Sequence, residues 1–374
     1  MKIASFNIEN LFHRDHALLE KNQSENLKAW VEEFHLLMGQ PTRGENQLAR
    51  LRELAFLLGF SNTVREPYLV MRRKGGQCYV KPQGVATEKR ATAKLGCNGW
   101  VALRSAPLEE RAVRHKLRTV ADAKADILLL QEVEDRAALL DFNVLLQKKH
   151  QLHYDQMLFT EGTDAHGRGM AILARNGYTV ESSASHAHVK YGRSKTLFEK
   201  DCPVHFLKTP DGERPVLINA HFKGPSDTDD HHGLRKRQAE FVAGLYCHHI
   251  KNGNELVLIC GTLNDPSYAD ALSPLIRDTQ LKDISKHDGF EVDLDHGPDA
   301  GYFRLGAYRK GVNIKQADYM LCSQALFAQL HASGLQRRGM WSGKKVRWRT
   351  YPQLRSREQQ ASGHPLLWGQ FDIF

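Results

Sequence analysis

No apolar run in the 374-residue sequence is long enough to span a bilayer, which takes about 20 predominantly apolar residues, so a helical membrane span is not expected. The start, MKIASFNIENLF, places Ser5, Asn7, Glu9 and Asn10 where a secretory leader needs an apolar stretch. Cysteine is sparse. Cys78, Cys97, Cys202, Cys247, Cys260 and Cys322 lie far apart, with no C-x-x-C pair and no regular framework. Scattered thiols of this kind suit a reducing compartment, and a cytoplasmic location is expected. Low-complexity tracts and internal repeats are also absent. With 41% hydrophobic and 25% charged residues, disordered and fibrous classes drop out. One elaborated domain with a substantial core is expected over residues 1–374.

Acidic residues are missing from one stretch in particular. Between Arg337 and Arg357 stand Arg337, Arg338, Lys344, Lys345, Arg347, Arg349, Arg355 and Arg357 with no Asp or Glu, so nearly the whole formal net charge of +9 is concentrated there. Trp341, Trp348 and Tyr351 are interleaved with these charges. The stretch suits two roles. Arg337, Arg338, Lys344, Lys345, Arg347 and Arg349 can contact nucleic acid while the aromatic faces stack on bases; equally, the stretch can be a solvated loop whose aromatics fold back onto the core.

What is present in quantity is a series of short apolar runs bounded by turn residues: KIASFN, DILLLQE, MAILAR, PVLINAH, ELVLIC, ADYMLCS and PLLWGQFDIF. Several lack strict alternation, as strands do when a second sheet covers one face and helices cover the other. Helical patterns lie between them. ENQLARLRELAFLLGF places Leu48, Leu51, Leu54, Phe56 and Leu58 so that most fall on one broad face, and GLRKRQAEFVAGLYCHHI repeats Leu234, Phe241 and Leu245 behind Asp229 and Asp230. The section from about 42 to 114 reads as an insertion, with its own helix, the strand YLVMRRKGGQCYV and the basic residues Arg72, Arg73 and Lys74.

Polar groups recur where the apolar runs stop. Asn7 and Glu9 follow KIASF, Glu132 follows DILLLQ, His221 follows VLINA and Asn264 follows ELVLICGTL; Asp318 opens a run and His364 precedes the last one. Together these residues suit hydrolysis of a phosphate ester. Paired carboxylates can hold a hard cation such as Mg2+ that shares its remaining positions with phosphate oxygens. A histidine kept protonated by a neighbouring carboxylate can donate to a phosphate oxygen. An Asn can orient water without titrating. Other candidates fall away: His231 and His232 are adjacent on a helix and point apart, GPSDTDD lacks the glycine and terminal Glu of a calcium loop, and HGRGMAIL has no P-loop lysine.

From IASFNIENL to SGHPLLWGQF, the order of these motifs resembles the endonuclease/exonuclease/phosphatase superfamily, of the deoxyribonuclease I type. The resemblance implies a four-layered α/β sandwich, two mixed sheets packed face to face with helices outside. It implies Glu132, with Glu9, as ligands of Mg2+ (or Mn2+), and Asn7, His221, Asn264, Asp318 and His364 as catalytic residues, Asp318 orienting His364. It departs from the family in two places. The usual Gly-Asp-x-Asn turn reads Gly261, Thr262, Leu263, Asn264, and the usual Ser-Asp-His reads Ser362, Gly363, His364. A threonine hydroxyl orients water but does not take its proton near neutral pH.

The missing acids leave three possibilities open: a relocated base, with Asp265, Asp295 and Asp299 as candidates by chain position; a slower enzyme with one metal on Glu132 and Glu9; or a degenerate core that binds nucleic acid or a protein. Retention of Asn7, Glu132, His221, Asn264, Asp318 and His364 favours activity. The expected function is a metal-dependent phosphodiesterase, a nuclease on DNA or RNA, with a phosphomonoesterase on a small phosphorylated or inositol-phosphate substrate as the alternative.

Overall fold

The computed structural model describes residues 1–12, 25–40, 42–57, 69–73, 76–77, 99–103, 108–134, 136–163, 168–192, 195–224, 229–292, 316–343 and 348–373. The chain begins with β1 (Lys2–Asn7), α1 (Glu25–Gly39), α2 (Glu45–Leu57), β2 (Leu69–Arg73), β3 (Gly76–Gln77) and β4 (Gly99–Leu103). There follow α3 (Glu110–Ala123), β5 (Ile127–Val133), α4 (Arg136–His150), β6 (Gln156–Thr160), β7 (Gly169–Ala174), β8 (Thr179–Ala184), β9 (Lys190–Tyr191) and β10 (Lys195–Thr196). Next come β11 (Val204–Lys208), β12 (Val216–His221), α5 (Asp229–Lys251), β13 (Val257–Thr262), α6 (Ser273–Ile276), β14 (Lys282–Asp283) and β15 (Phe290–Val292). The last elements are β16 (Asp318–Cys322), α7 (Gln324–Ala328), β17 (Leu330–Gln336) and β18 (Leu366–Phe371).

Two large mixed sheets result. The first has the order β15-β17-β18-β1-β5-β7-β6 and the second β14-β16-β13-β12-β11-β8. Strand alternation sorts their side chains into three cores. Ala4, Phe6, Leu128 and Leu130 face helices α3 and α4, meeting Leu117, Val120, Leu139, Phe142 and Leu146. The intervening residues Ile3, Ile127 and Leu129 face the other way, onto Leu217, Leu258, Cys260 and Met320 of the second sheet. On the far side Val216, Ile218, Val257 and Ile259 meet Leu234, Val242 and Tyr246 of α5. Helix, sheet, sheet, helix is the expected four-layered sandwich, and the lack of alternation in the central runs has its cause in burial of both faces. In α5 the buried stripe is Leu234, Ala239, Val242, Ala243 and Tyr246, with Phe241 and Leu245 at its border.

One polar link crosses the apolar layer between the sheets. Gln131 on β5 donates through Nε2 to Asn219 Oδ1 on β12 at 2.8 Å and to Ser5 Oγ at 3.1 Å, and Asn219 Nδ2 donates back to Leu130 O at 3.3 Å. All three side chains are buried, so their groups are satisfied inside the core, as burial requires.

Between β1 and α3 the chain builds a sheet of its own, β3-β2-β4, and α1 packs on α2 and β4. This extra material starts with α1, before residue 42, and α3, which opens at Glu110, belongs to the helical layer of the main core. Arg43 donates to the carbonyls of Leu37 and Met38, satisfying the last turn of α1. Lys74, Cys78 and Cys97 lie outside the described residues. Cys202, Cys260 and Cys322 are free and buried, and Cys247 is free and exposed. No helix among the described residues is long and apolar enough to cross a membrane.

Candidate active site

Topology brings the six motifs to one rim. β1 and β5 run parallel, as do β12 and β13, so each pair ends side by side. β16 is antiparallel to β13 and pairs its first residue, Asp318, with Thr262. β18 is antiparallel to β1 and starts beside its end. Strand ends in one direction and strand starts in the other therefore meet at the same edge of the sandwich.

A continuous hydrogen-bonded line joins four of these positions. Asn7 Nδ2 donates to Thr262 Oγ1 at 3.1 Å, Thr262 Oγ1 donates to Asp318 Oδ1 at 2.7 Å, and both Asp318 oxygens face His364 Nδ1 at 2.9 and 3.0 Å. Burial alone would lower the pKa of His364; the charge and hydrogen bond of Asp318, helped by Glu9 and Glu132, overcome that and raise it to about 9. Thr262 thus occupies the place of the family's aspartate as a fully buried link, relaying Asn7 to the acid that charges His364. Thr262→Val, which keeps the shape and removes the hydroxyl, leaves an Asn7 donor and an Asp318 oxygen without that partner. A loss of about 1–3 kcal/mol is expected, read as a lower urea midpoint, while Thr262→Ser retains most of the stability.

Glu132 owes its direction to a β-bulge. Gln131 pairs with Met170 and Val133 with Gly169, so Glu132 is skipped in the register of β5 on β7, and its φ of 60° is left-handed. Regular alternation would send it to the helix face with Leu128 and Leu130; the bulge turns it to the rim. There its Oε1 lies 3.0 Å from His221 Nε2 and 3.6 Å from Lys200 Nζ, and its Oε2 accepts from Arg168 Nη1 at 2.7 Å. Burial by itself would raise the Glu132 pKa, but the hydrogen bond from His221 and the charges of Lys200 and Arg168 hold it well below the usual carboxylate range. His221 goes the opposite way from His364. Burial and then the charge of Lys200 outweigh the pull of Glu132 and lower it to about 4, so it is a neutral imidazole donating to Glu132.

Arg168 and Lys200 carry no signal in the sequence patterns. Arg168 stands in the connection before β7, where Gly169 follows because a Cβ there would lie 2.3 Å from Thr160 O. Lys200 stands in the connection before β11. Both connections are irregular, and no periodicity points to either side chain.

Glu9 is the carboxylate open to solvent, its side chain 42% exposed against 13% for Glu132 and 10% for Asp318. Its Oε2 accepts from the Gly363 N–H at 2.7 Å and its Oε1 lies 3.9 Å from His364 Nε2. A side chain at 363 would bring its Cβ to 3.0 Å from Glu9 Oε1, so glycine at the family's acidic position makes room for Glu9 in its present place. Asn264, with a left-handed φ of 59°, donates Nδ2 to Phe222 O at 2.8 Å. Asp265 is held by Arg235, at 2.5 and 3.4 Å, so its carboxylate is committed to structure. Asp295 and Asp299 lie outside the described residues.

Enzymes built on this motif set generally use divalent metal ions, and Glu132 with Glu9 is the donor pair offered for Mg2+ (or Mn2+). The pair does not match what a hard dication needs. Both Glu132 oxygens already face N–H donors or cations, Glu9 shares one oxygen with a backbone N–H, and no group of three or more His, Cys, Asp or Glu that could hold a metal occurs among the described residues.

In the basic stretch near the C-terminus Arg337 is turned inward, whereas Arg349, Arg355 and Arg357 are exposed. Arg337 is 6% exposed and stacks on Trp348, 4.5 Å from the ring centroid, while Trp348 Nε1 donates to Arg337 O. Arg337, expected as a nucleic-acid contact, thus packs its guanidinium against an aromatic face. Arg338 and Arg118 lie over the buried Tyr351, whose hydroxyl donates to Asp122 at 3.0 Å. Arg349 is exposed, and Lys344, Lys345 and Arg347 lie outside the described residues.

The profile of the Endonuclease/Exonuclease/phosphatase family matches residues 103–339. A search of curated proteins finds no match. Similar solved structures include the human Nocturnin catalytic domain with bound sulfate anion, 15% identical over 70% of this chain and 86% of that one, TM-score 0.48. The Bacteroides thetaiotaomicron mannosyl-6-phosphatase Bt3783 is 13% identical over 70% and 92%, TM-score 0.47. Truncated Caenorhabditis elegans TDP2 is 18% identical over 70% and 90%, TM-score 0.45.

Proposed function

Because the chain belongs to the endonuclease/exonuclease/phosphatase family, whose enzymes are generally phosphoric ester hydrolases, we propose that it is a phosphodiesterase that cleaves nucleic acid. The observation that carries this reading is the Asp318–His364 pair, an imidazole held cationic within 3.9 Å of a solvent-open carboxylate. A proton donor and a proton acceptor side by side at a polar rim are what ester hydrolysis needs.

In this scheme Asn264 orients a water. Its oxygen attacks phosphorus as the bond to the leaving oxygen breaks, Glu9 takes the water's proton, and His364 Nε2–H protonates the leaving oxygen. Transfer of the proton from Glu9 to His364 resets the pair, so one water converts a diester into a monoester and a hydroxyl. Glu9 has this role because the other two carboxylates are committed, Glu132 to cations and Asp318 to His364 and Thr262.

Support for a polyanionic substrate comes from the formal net charge of +9. The test is incubation of the purified protein and Glu9→Gln with labelled single- and double-stranded DNA and RNA, alongside a small phosphodiester and a small phosphomonoester. Wild type cleaves at least one polymer, the variant is slower by about 10²-fold or more, and affinity falls steeply with added salt. Hydrolysis of the monoester alone would replace this reading with a phosphomonoesterase, and inertness toward every ester would end it.

A further inference from the structure

Resting on the phosphoryl-site reading above, we propose that Arg168 and Lys200, not a divalent cation, hold the non-bridging oxygens of the bound phosphate, making this a metal-independent member of its family. Glu132, where the family's metal would sit, is already surrounded. Arg168 Nη1 is 2.7 Å from one oxygen, and Lys200 Nζ and His221 Nε2 are 3.6 and 3.0 Å from the other. The two cations and the His221 ring nitrogen together occupy both oxygens of the carboxylate. Both cations are fixed in place: the Lys200 side chain is 7% exposed and that of Arg168 17%.

A dication placed on Glu132 would have to displace these groups or stand beside them, and like charges at that separation in a water-poor site repel strongly. A phosphate oxygen meets the reverse situation. Guanidinium and ammonium donors are the groups that recognise phosphate, and here they are already positioned before substrate arrives, so no reorganisation is needed as charge develops. Glu132 is then a positioning residue that holds the two cations at the rim.

The substitutions elsewhere in the site agree. The two positions where the family carries further acids are Thr262 and Gly363. Thr262 Oγ1 is occupied with Asn7 and Asp318, and the space at Gly363 is taken by the Glu9 carboxylate. Neither position therefore brings a further carboxylate to the site that holds Arg168 and Lys200.

The experiment uses the full chain, stripped with a chelator and checked for residual metal. Inorganic phosphate is titrated in the presence of chelator and followed by thermal unfolding; MgCl2 and MnCl2 are titrated separately by calorimetry. The expected result is a phosphate-dependent rise in Tm in chelator, weakened about tenfold in apparent affinity by Lys200→Met or Arg168→Met, retained in Lys200→Arg, and no heat of metal binding at Glu132. Each single variant leaves Glu132 one cationic partner, so both are expected to fold.

Ester hydrolysis by the stripped protein is measured in parallel. Metal binding that disappears in Glu132→Gln, hydrolysis that stops in chelator and returns with Mg2+ or Mn2+, or phosphate binding indifferent to Arg168 and Lys200 would each overturn the proposal. Failure to hydrolyse any ester with or without metal defeats the phosphodiesterase reading instead, and phosphate binding in chelator then decides the role of the two cations by itself.

Discussion

Replacing His364 with alanine lowers the rate of phosphodiester cleavage by about 10²–10⁴-fold, the range for loss of a positioned proton donor. The pH profile identifies the cause. With its pKa raised to about 9 by Asp318, Glu9 and Glu132 against the effect of burial, the cationic imidazole persists through neutrality, and the rate should fall as pH rises through 9. Asp318→Asn removes the largest raising influence, so the alkaline limb moves down toward 6.5 and the rate at pH 8 drops. The same group affects stability. Its folded pKa lies above its unfolded one, so its contribution, at most about 3 kcal/mol for a shift of this size, is fully present below about pH 6.5 and is lost as pH rises through 9. Urea midpoints at pH 6 and pH 9.5 should therefore differ less in His364→Ala than in wild type. An unchanged alkaline limb in Asp318→Asn would show that this pair does not control the reaction.

The second large effect is on folding. Glu132→Ala removes the carboxylate that Arg168, Lys200 and His221 face and takes a paired negative charge away from two largely buried cations. Breaking a buried ion pair from one side costs about 3–5 kcal/mol, against a total stability of about 5–15 kcal/mol for a typical domain. The urea midpoint should fall sharply, and Lys200→Met in the same chain should recover part of the loss, because the two residues are coupled. A Glu132→Ala variant that is as stable as wild type would mean that the cations are solvated in solution. The expected loss also bears on activity assays: inactive Glu132→Ala protein does not by itself identify Glu132 as a metal ligand, since the variant is damaged without any metal.

Strand ends are legible in a sequence, and most of this rim consists of strand ends. An apolar run that stops at an amide, an acid or a histidine marks both the element and the side chain it presents, so Asn7, Glu132, His221, Asn264, Asp318 and His364 can be read from pattern and order. Their mutual distances cannot, because those depend on which strands are neighbours. The doubly buried runs announce a sandwich for the same reason, whereas the start of α3 at Glu110 falls within the end of a section that reads as an insertion. Arg168 and Lys200 leave no trace because irregular connections have no period. The bulge at Glu132 is likewise silent: one extra residue in a strand changes no composition and is visible only as a break in register. The basic stretch shows the limit of charge counting. Arg337 contributes to a run of positive residues, yet its guanidinium lies on Trp348 under the surface.

The buried link from Gln131 to Asn219 has a mechanical meaning. Two sheets that touch through aliphatic side chains alone resist separation far better than they resist sliding, because dispersion is non-directional. A directional bond between amides acts as a detent against that slide. Gln131 immediately precedes Glu132, and Asn219 stands two residues before His221. The 3.0 Å contact between those two neighbours therefore has its alignment set one or two residues deeper in the sandwich, by amides that never meet the substrate.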